Sequence, residues 1–143
     1  ATFRGQVVIS DGASEVASLS VSSDQPLDLD ALDLQDDTLY LVRLVEEGQL
    51  RGTLTFRRLD TEEQQRLLDL NLVSGHSLER MEQFCQLGQY RRAVQEGEGL
   101  LRDAPSEQVL QLVYDLNRDI LQDPRQAAYW KAWAEANELP LKE

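Results

Sequence analysis

The spacing of the apolar residues changes once along this chain, near Asp60. Before that point, short runs alternate between apolar and polar residues, as half-buried strands do. After it, apolar residues recur every three or four positions, as in amphipathic helices. Asp60 also opens a capping signal, because Glu63 follows three residues later. The sequence therefore predicts an α+β fold, with a small antiparallel β-sheet in residues 1–59 and helices in residues 60–143 around one shared core.

Four strands are predicted in the first part. The runs from Phe3 to Ser10 and from Glu15 to Val21 flank an Asp-Gly turn, which is typical of a hairpin. Residues 38–46 are almost continuously apolar and predict a central strand. Residues 52–59 alternate again and predict the strand that returns beside it.

Amphipathic helices are predicted throughout the second part. The first runs from residue 60 to residue 72, and its buried face is expected to be Leu67, Leu68 and Leu72. Further helices are predicted as a pair across residues 77–105 that is divided at Gly88, and over residues 106–121 and 124–139.

The charge of the chain restricts its partners. With 26 acidic and 14 basic residues, the formal net charge is −12. Direct nucleic-acid binding and attachment to an anionic membrane surface both need clustered Lys and Arg, so neither is expected. No apolar run is long enough to span a membrane. We predict a cytoplasmic protein whose partner is a protein with a basic surface, and self-association stays an open alternative.

Residues 22–37 contain six aspartates and no basic residue. A calcium loop needs oxygen ligands at alternate positions, a central Gly and a distal Glu, and this stretch lacks that pattern. We therefore predict no metal site. The alternatives are a solvated loop whose leucines tuck under the sheet and an acidic docking surface for a basic partner. The residues assigned to that docking surface are Asp28, Asp30, Asp33, Asp36 and Asp37.

Catalytic motifs are absent from the sequence. His76 is the only histidine and Cys85 the only cysteine, and neither stands in a recognisable nucleophile, phosphate-loop or metal-ligand pattern. We therefore predict no catalytic residue and no cofactor.

Gly88 and Tyr90 open a predicted helix, Ala93 is small enough for a close helix contact, and Pro105 ends the helix. With this pattern, which is that of the second helix of the repeat, the helices from residue 75 to residue 140 resemble degenerate tetratricopeptide (TPR) helical hairpins. Gly97 and Gly99 depart from the pattern. They predict either a close crossing of another backbone or a bend.

The TPR resemblance implies protein–protein binding. Repeats of that family present their first helices along a concave surface that holds a peptide or a partner helix. Carried over to this chain, the surface would include Leu78, Glu82, Cys85, Gln86, Leu112, Leu116 and Asp119. For the leucines we favour a position in the core, since a stripe at helical spacing is usually buried. Near the C-terminus, Trp130 is predicted to pack on the preceding helix and Trp133 to contact a partner.

These patterns predict a non-enzymatic, acidic protein–protein interaction module. It would serve as an adaptor, an assembly chaperone or an inhibitor of the toxin-neutralising type. Two other classes stay open from the sequence. One is an acidic decoy that mimics nucleic acid through the aspartate-rich stretch, and the other is an enzyme without a recognisable motif.

Overall fold

The computed structural model describes residues 4–12, 14–22 and 32–143. Its strands are β1 (Arg4–Ser10), β2 (Glu15–Ser22), β3 (Tyr40–Glu46) and β4 (Gln49–Phe56). Its helices are α1 (Thr61–Leu72), α2 (Leu78–Gln86), α3 (Tyr90–Asp103), α4 (Glu107–Asp115) and α5 (Pro124–Ala136), with a π-helical turn (Leu116–Ile120) between α4 and α5. The predicted α+β fold, in which the strands precede the helices, is confirmed.

The four strands form one antiparallel sheet in the order β2-β1-β3-β4. The central position predicted for β3 is confirmed. Because side chains alternate between the faces of a strand, one face gathers the apolar residues Val7, Ile9, Tyr40 and Val42. Leu34, from the segment before β3, completes this cluster and is only 7% exposed. At least this leucine packs against the sheet.

A two-residue turn joins β3 to β4. Glu46 pairs with Gln49, and both residues between them have positive φ angles, 52° at Glu47 and 76° at Gly48. Such turns favour Asn-Gly, because a residue with a Cβ is strained in this region and Asn tolerates it best. Glu47→Asn should therefore stabilise the protein by about 0.5–1 kcal/mol in urea unfolding. Glu47→Gln removes the same charge and keeps the strain, so equal stabilisation by both variants would contradict the turn explanation.

The helix starts follow the capping residues in the sequence. Asp60, Ser77, Ser106 and Asp123 each accept a hydrogen bond from the backbone N–H three residues further on. At α1 the bond is reciprocal, because the Glu63 carboxylate also accepts from the backbone N–H of Asp60 at 3.2 Å. These caps fix where α1, α2, α4 and α5 begin.

Helix α3 packs against α2, α4, the π-helical turn and β4. Its two internal glycines allow this close approach. A Cβ added at Gly97 would lie 2.5 Å from Val113 Cγ2 and 2.9 Å from Met81 Cε, and both neighbours are completely buried. A Cβ added at Gly99 would lie 2.5 Å from the His76 ring. Both glycines therefore make room for neighbouring side chains, whereas the sequence had predicted either a close crossing of another backbone or a bend.

The predicted buried face of α1 is wrong at two of its three residues. No residue of α1 is buried, and Leu68 and Leu72 are 58% and 84% exposed. Leu67, the third predicted residue, is half-buried and packs against the helical core together with Leu70. Four leucines within six residues surround most of the helix, so their spacing alone did not define which side would face inward.

Buried apolar side chains form two clusters, one within the sheet and one among the helices. Polar contacts join the two parts where β4 meets α3. Thr55 Oγ1 donates to the carbonyl of Gly88 at 3.1 Å, and Arg91 donates to the Thr53 carbonyl at 2.9 Å. The threonine face of β4 is thus the face that the helices cover. That the two parts fold as one unit stays a prediction.

Candidate interaction surface

The acidic residues assigned to partner binding are only partly within the described chain. Asp28 and Asp30 lie outside the described residues. Asp33, Asp36 and Asp37 are exposed, and Asp36 is 3.9 Å from Arg58, a loose ion pair at the surface. Surface ion pairs of this kind contribute little to stability. These three carboxylates are available to solvent.

Arg57 organises the junction of the sheet with α1 and α2. Its guanidinium donates to both carboxylate oxygens of Glu63, at 3.2 and 2.8 Å, and to the Gln86 carbonyl at 2.9 Å. The hydrogen bond from Arg57 lowers the pKa of Glu63, and the same contact raises the pKa of Arg57. The negative charge of Asp37 also acts on this guanidinium. Arg57 therefore contacts Gln86 and lies within electrostatic range of Asp37, two of the predicted contact residues.

Polar contacts anchor helix α1, and the apolar side chains on its outer side are exposed to solvent. Besides Glu63, Arg66 donates to the Gln86 side chain at 3.2 Å. On the outer side, Leu68, Leu72 and Val73 are 58%, 84% and 55% exposed. We call these three residues the α1 apolar face. Exposed apolar side chains that stand singly are ordinary, whereas contiguous exposed apolar patches mark interaction sites.

Exposed carboxylates lie on α1 and α2, and the exposed Arg66 lies on α1 with them. Glu62 and Asp69 are exposed on α1 itself, and Glu79 and Glu82 are exposed on α2. A shallow groove of about 200 Å³ beside the face is lined by Arg66, Asp69, Leu70, Val73 and Gln83. The surface is therefore apolar in the middle with carboxylates nearby. Glu82 and Gln86, predicted from the TPR resemblance, are exposed on this side of the molecule.

Asp119 and Trp133 belong to other elements. Asp119 is exposed in the π-helical turn and is already paired with Arg118 at 2.8 Å, a hydrogen bond that lowers the pKa of Asp119. Trp133 is half-buried on α5 and packs against the helical core. The structure thus separates the predicted contact residues into the α1–α2 side and the α5 side.

A buried polar cluster beside α3 was missed by the sequence analysis. Glu96 is only 6% exposed, and its two oxygens lie 3.3 Å from His76 Nδ1 and 3.4 Å from Arg80 Nη1. Arg80 also donates to the Gly75 carbonyl at 2.7 Å. These contacts fix the connection between α1 and α2 against α3. The sequence gave no signal for them, because His76 and Glu96 are twenty positions apart.

The environment of Cys85, the single cysteine, disfavours its reactive thiolate form. Burial raises the pKa of the Cys85 thiol to about 11, with a smaller contribution from Glu82. At neutral pH the group is a thiol, and the thiolate is the form that acts as a nucleophile or metal ligand. Cys85 packs instead against the helical core.

Within residues 4–12, 14–22 and 32–143, no three His, Cys, Asp or Glu side chains are placed to hold a metal ion together. No helix in the same part of the chain is long and apolar enough to cross a membrane.

The comparisons with known proteins give no relative. The sequence matches no protein-family model, and no curated protein or solved structure matches it. The TPR resemblance therefore stays a prediction.

Proposed function

We propose that the protein is a non-enzymatic interaction module that binds a basic protein partner through the α1 apolar face. The observation that carries the proposal is the exposure of this face. Leu72 is 84% exposed on a helix without any buried residue. Leaving such side chains in water is unfavourable, and covering them with a partner would recover roughly 25 cal/mol for each Å² of apolar surface.

The charge around the face supports a basic partner. The formal net charge of the chain is −12, and α1 and α2 both carry exposed carboxylates. A partner that combines apolar side chains with Lys or Arg would gain both burial and electrostatic attraction. A second copy of the chain would bring its own excess of negative charge, which opposes self-association. An adaptor, an assembly chaperone and an inhibitor would all use such a surface.

The test removes the apolar face without disturbing the fold. Because Leu68 and Leu72 are exposed, the free energy of unfolding of the Leu68→Ser/Leu72→Ser variant should stay within about 1 kcal/mol of the natural value. We expect the immobilised natural protein to retain a basic protein from cell extract at low salt and to release it at high salt. The variant should retain less than a tenth as much of that protein at low salt.

The matched control for this capture experiment is Val16→Ser. Val16 is an exposed apolar residue, 45% exposed on β2, far along the chain from α1. This variant should capture as much as the natural protein does. Equal capture by the double serine variant, or a partner that remains bound equally at high salt, would contradict the proposal.

A further inference from the structure

A groove of about 270 Å³ lies between α3 and α5, on the side of the molecule that carries Trp133. Its α5 wall contains three aromatic side chains in five consecutive positions, and its α3 wall contains one carboxylate. We call it the aromatic groove. The residues lining it are Glu98, Leu101, Arg102, Gln126, Tyr129, Trp130 and Trp133.

The aromatic rings form angled walls rather than a flat stack. The centroids of Tyr129 and Trp130 are 5.0 Å apart with their planes at 88°, and those of Trp130 and Trp133 are 5.5 Å apart at 62°. Trp130 is only 6% exposed and forms the base, whereas Tyr129 is 57% exposed at the rim. Aromatic faces carry negative electrostatic potential, so converging rings attract cations.

Glu98 adds a carboxylate without a direct partner. It is half-buried, and within the described part of the chain it makes no hydrogen bond and no ion pair. Its burial raises its pKa, and the more distant charges of Arg91 and Arg102 oppose that shift. A carboxylate that has lost part of its hydration and has not gained a close partner is stabilised by an incoming cation.

We propose that the aromatic groove binds the cationic side chain of a lysine or arginine presented by the protein partner. This inference rests on the proposed function, since it identifies the chemistry of the partner at a second surface. The ammonium or guanidinium group would lie against the Trp133 and Tyr129 rings and pair with Glu98.

Arg102 provides a test in the opposite direction. It lies four residues after Glu98 on α3, is exposed, and repels any cation that enters the groove. Removing its charge should therefore strengthen binding, whereas removing the charge of Glu98 should weaken it. A groove that only covers apolar surface would not show this opposition.

The experiment titrates the full chain with the peptide acetyl-Gly-Lys-Gly-amide at about 0.15 M salt, where long-range attraction to the acidic protein is largely screened. Both tryptophans of the chain line the groove, so both indole N–H signals in a nitrogen-15 NMR spectrum report on it. We expect saturable shifts of these signals, with a dissociation constant on the order of 1–10 mM for one side chain. The same peptide with norleucine in place of lysine should cause none.

The variants separate a built site from general charge attraction. Glu98→Gln should weaken binding about tenfold, Arg102→Gln should strengthen it about threefold, and Tyr129→Ala should weaken it about threefold. Glu135→Gln, which removes an exposed carboxylate from α5 outside the groove, should change nothing. Equal effects of Glu98→Gln and Glu135→Gln, equal binding of the norleucine peptide, or weaker binding by Arg102→Gln would overturn the proposal.

The outcome is independent of the α1 test. The peptide titration requires no natural partner, and the Leu68→Ser/Leu72→Ser variant should bind the peptide normally. A failed titration with intact capture through α1 rejects the aromatic groove alone. A successful titration without any captured partner rejects the proposed function and leaves a cation site.

Discussion

Trp130→Ala should destabilise the protein by roughly 3–5 kcal/mol, a large part of the stability of an ordinary domain. Trp130 is 6% exposed and belongs to the same buried cluster as Val113 and Leu116, so the sequence-based expectation that it is core is confirmed. Its removal would leave a cavity between α5 and its neighbours. The loss is measured by urea unfolding followed by circular dichroism, because the substitution itself alters tryptophan fluorescence.

Two substitutions calibrate that result. Trp130→Phe keeps most of the apolar volume and should lose less than half as much stability. Tyr129→Ala alters the adjacent aromatic residue, but Tyr129 is 57% exposed, so its effect should stay within about 1 kcal/mol. If Tyr129→Ala costs as much as Trp130→Ala, then the packing of α5 is not as described.

Asp123→Ala should have the second-largest effect, a loss of roughly 2–4 kcal/mol. Asp123 is 1% exposed, caps α5 and lies 3.6 Å from Arg91 and 3.5 Å from Arg125. The cap contributes about 1 kcal/mol. The larger part arises because Arg91 would keep its partly buried charge without a carboxylate, and breaking a buried pair by removing one partner is costly. Since Arg91 is 22% exposed, solvent screens part of its charge, and the cost is smaller than for a completely buried pair.

A double-mutant cycle separates the two contributions. Asp123→Asn retains capping ability and removes the charge, so it reports the ion pair. In the Arg91→Met background, Asp123→Asn should cost at least 1 kcal/mol less than in the natural protein. Since Arg91 also bonds to Thr53 of β4, Arg91→Met should weaken the attachment of the sheet. Equal costs in both backgrounds would show that the pair is not coupled.

The predictable parts of the fold depend on local chemistry. The capping box at Asp60 fixes the start of α1, and the serine caps at Ser77 and Ser106 fix two more helices. Alternation of apolar and polar residues identified the strands, because successive side chains of a strand point to opposite faces of the sheet. Each of these signals acts within a few residues, so it is visible in a single sequence.

The orientation of α1 depends on distant residues and was predicted wrongly. Its leucines surround the helix, and the side that faces inward is selected by Arg57 and by Gln86, which lies on another helix. The aromatic groove also depends on residues that are distant from one another in the sequence. Glu98 is thirty-five positions before Trp133 in the sequence, and both residues line the groove because α3 and α5 each pack against α4. The π-helical turn likewise has no marker in the sequence.

The glycines of α3 have a consequence for the order of folding. Each glycine costs a helix about 1 kcal/mol relative to alanine, and Gln89, at the start of α3, makes no side-chain capping bond. An isolated peptide of this sequence would be nearly unstructured. The capped helices α2 and α4 can form their first turns before docking, whereas α3 gains its helix only as Met81 and Val113 close over Gly97. Helix α3 therefore becomes helical only when its neighbours pack against it, so its formation coincides with the collapse of the helical core.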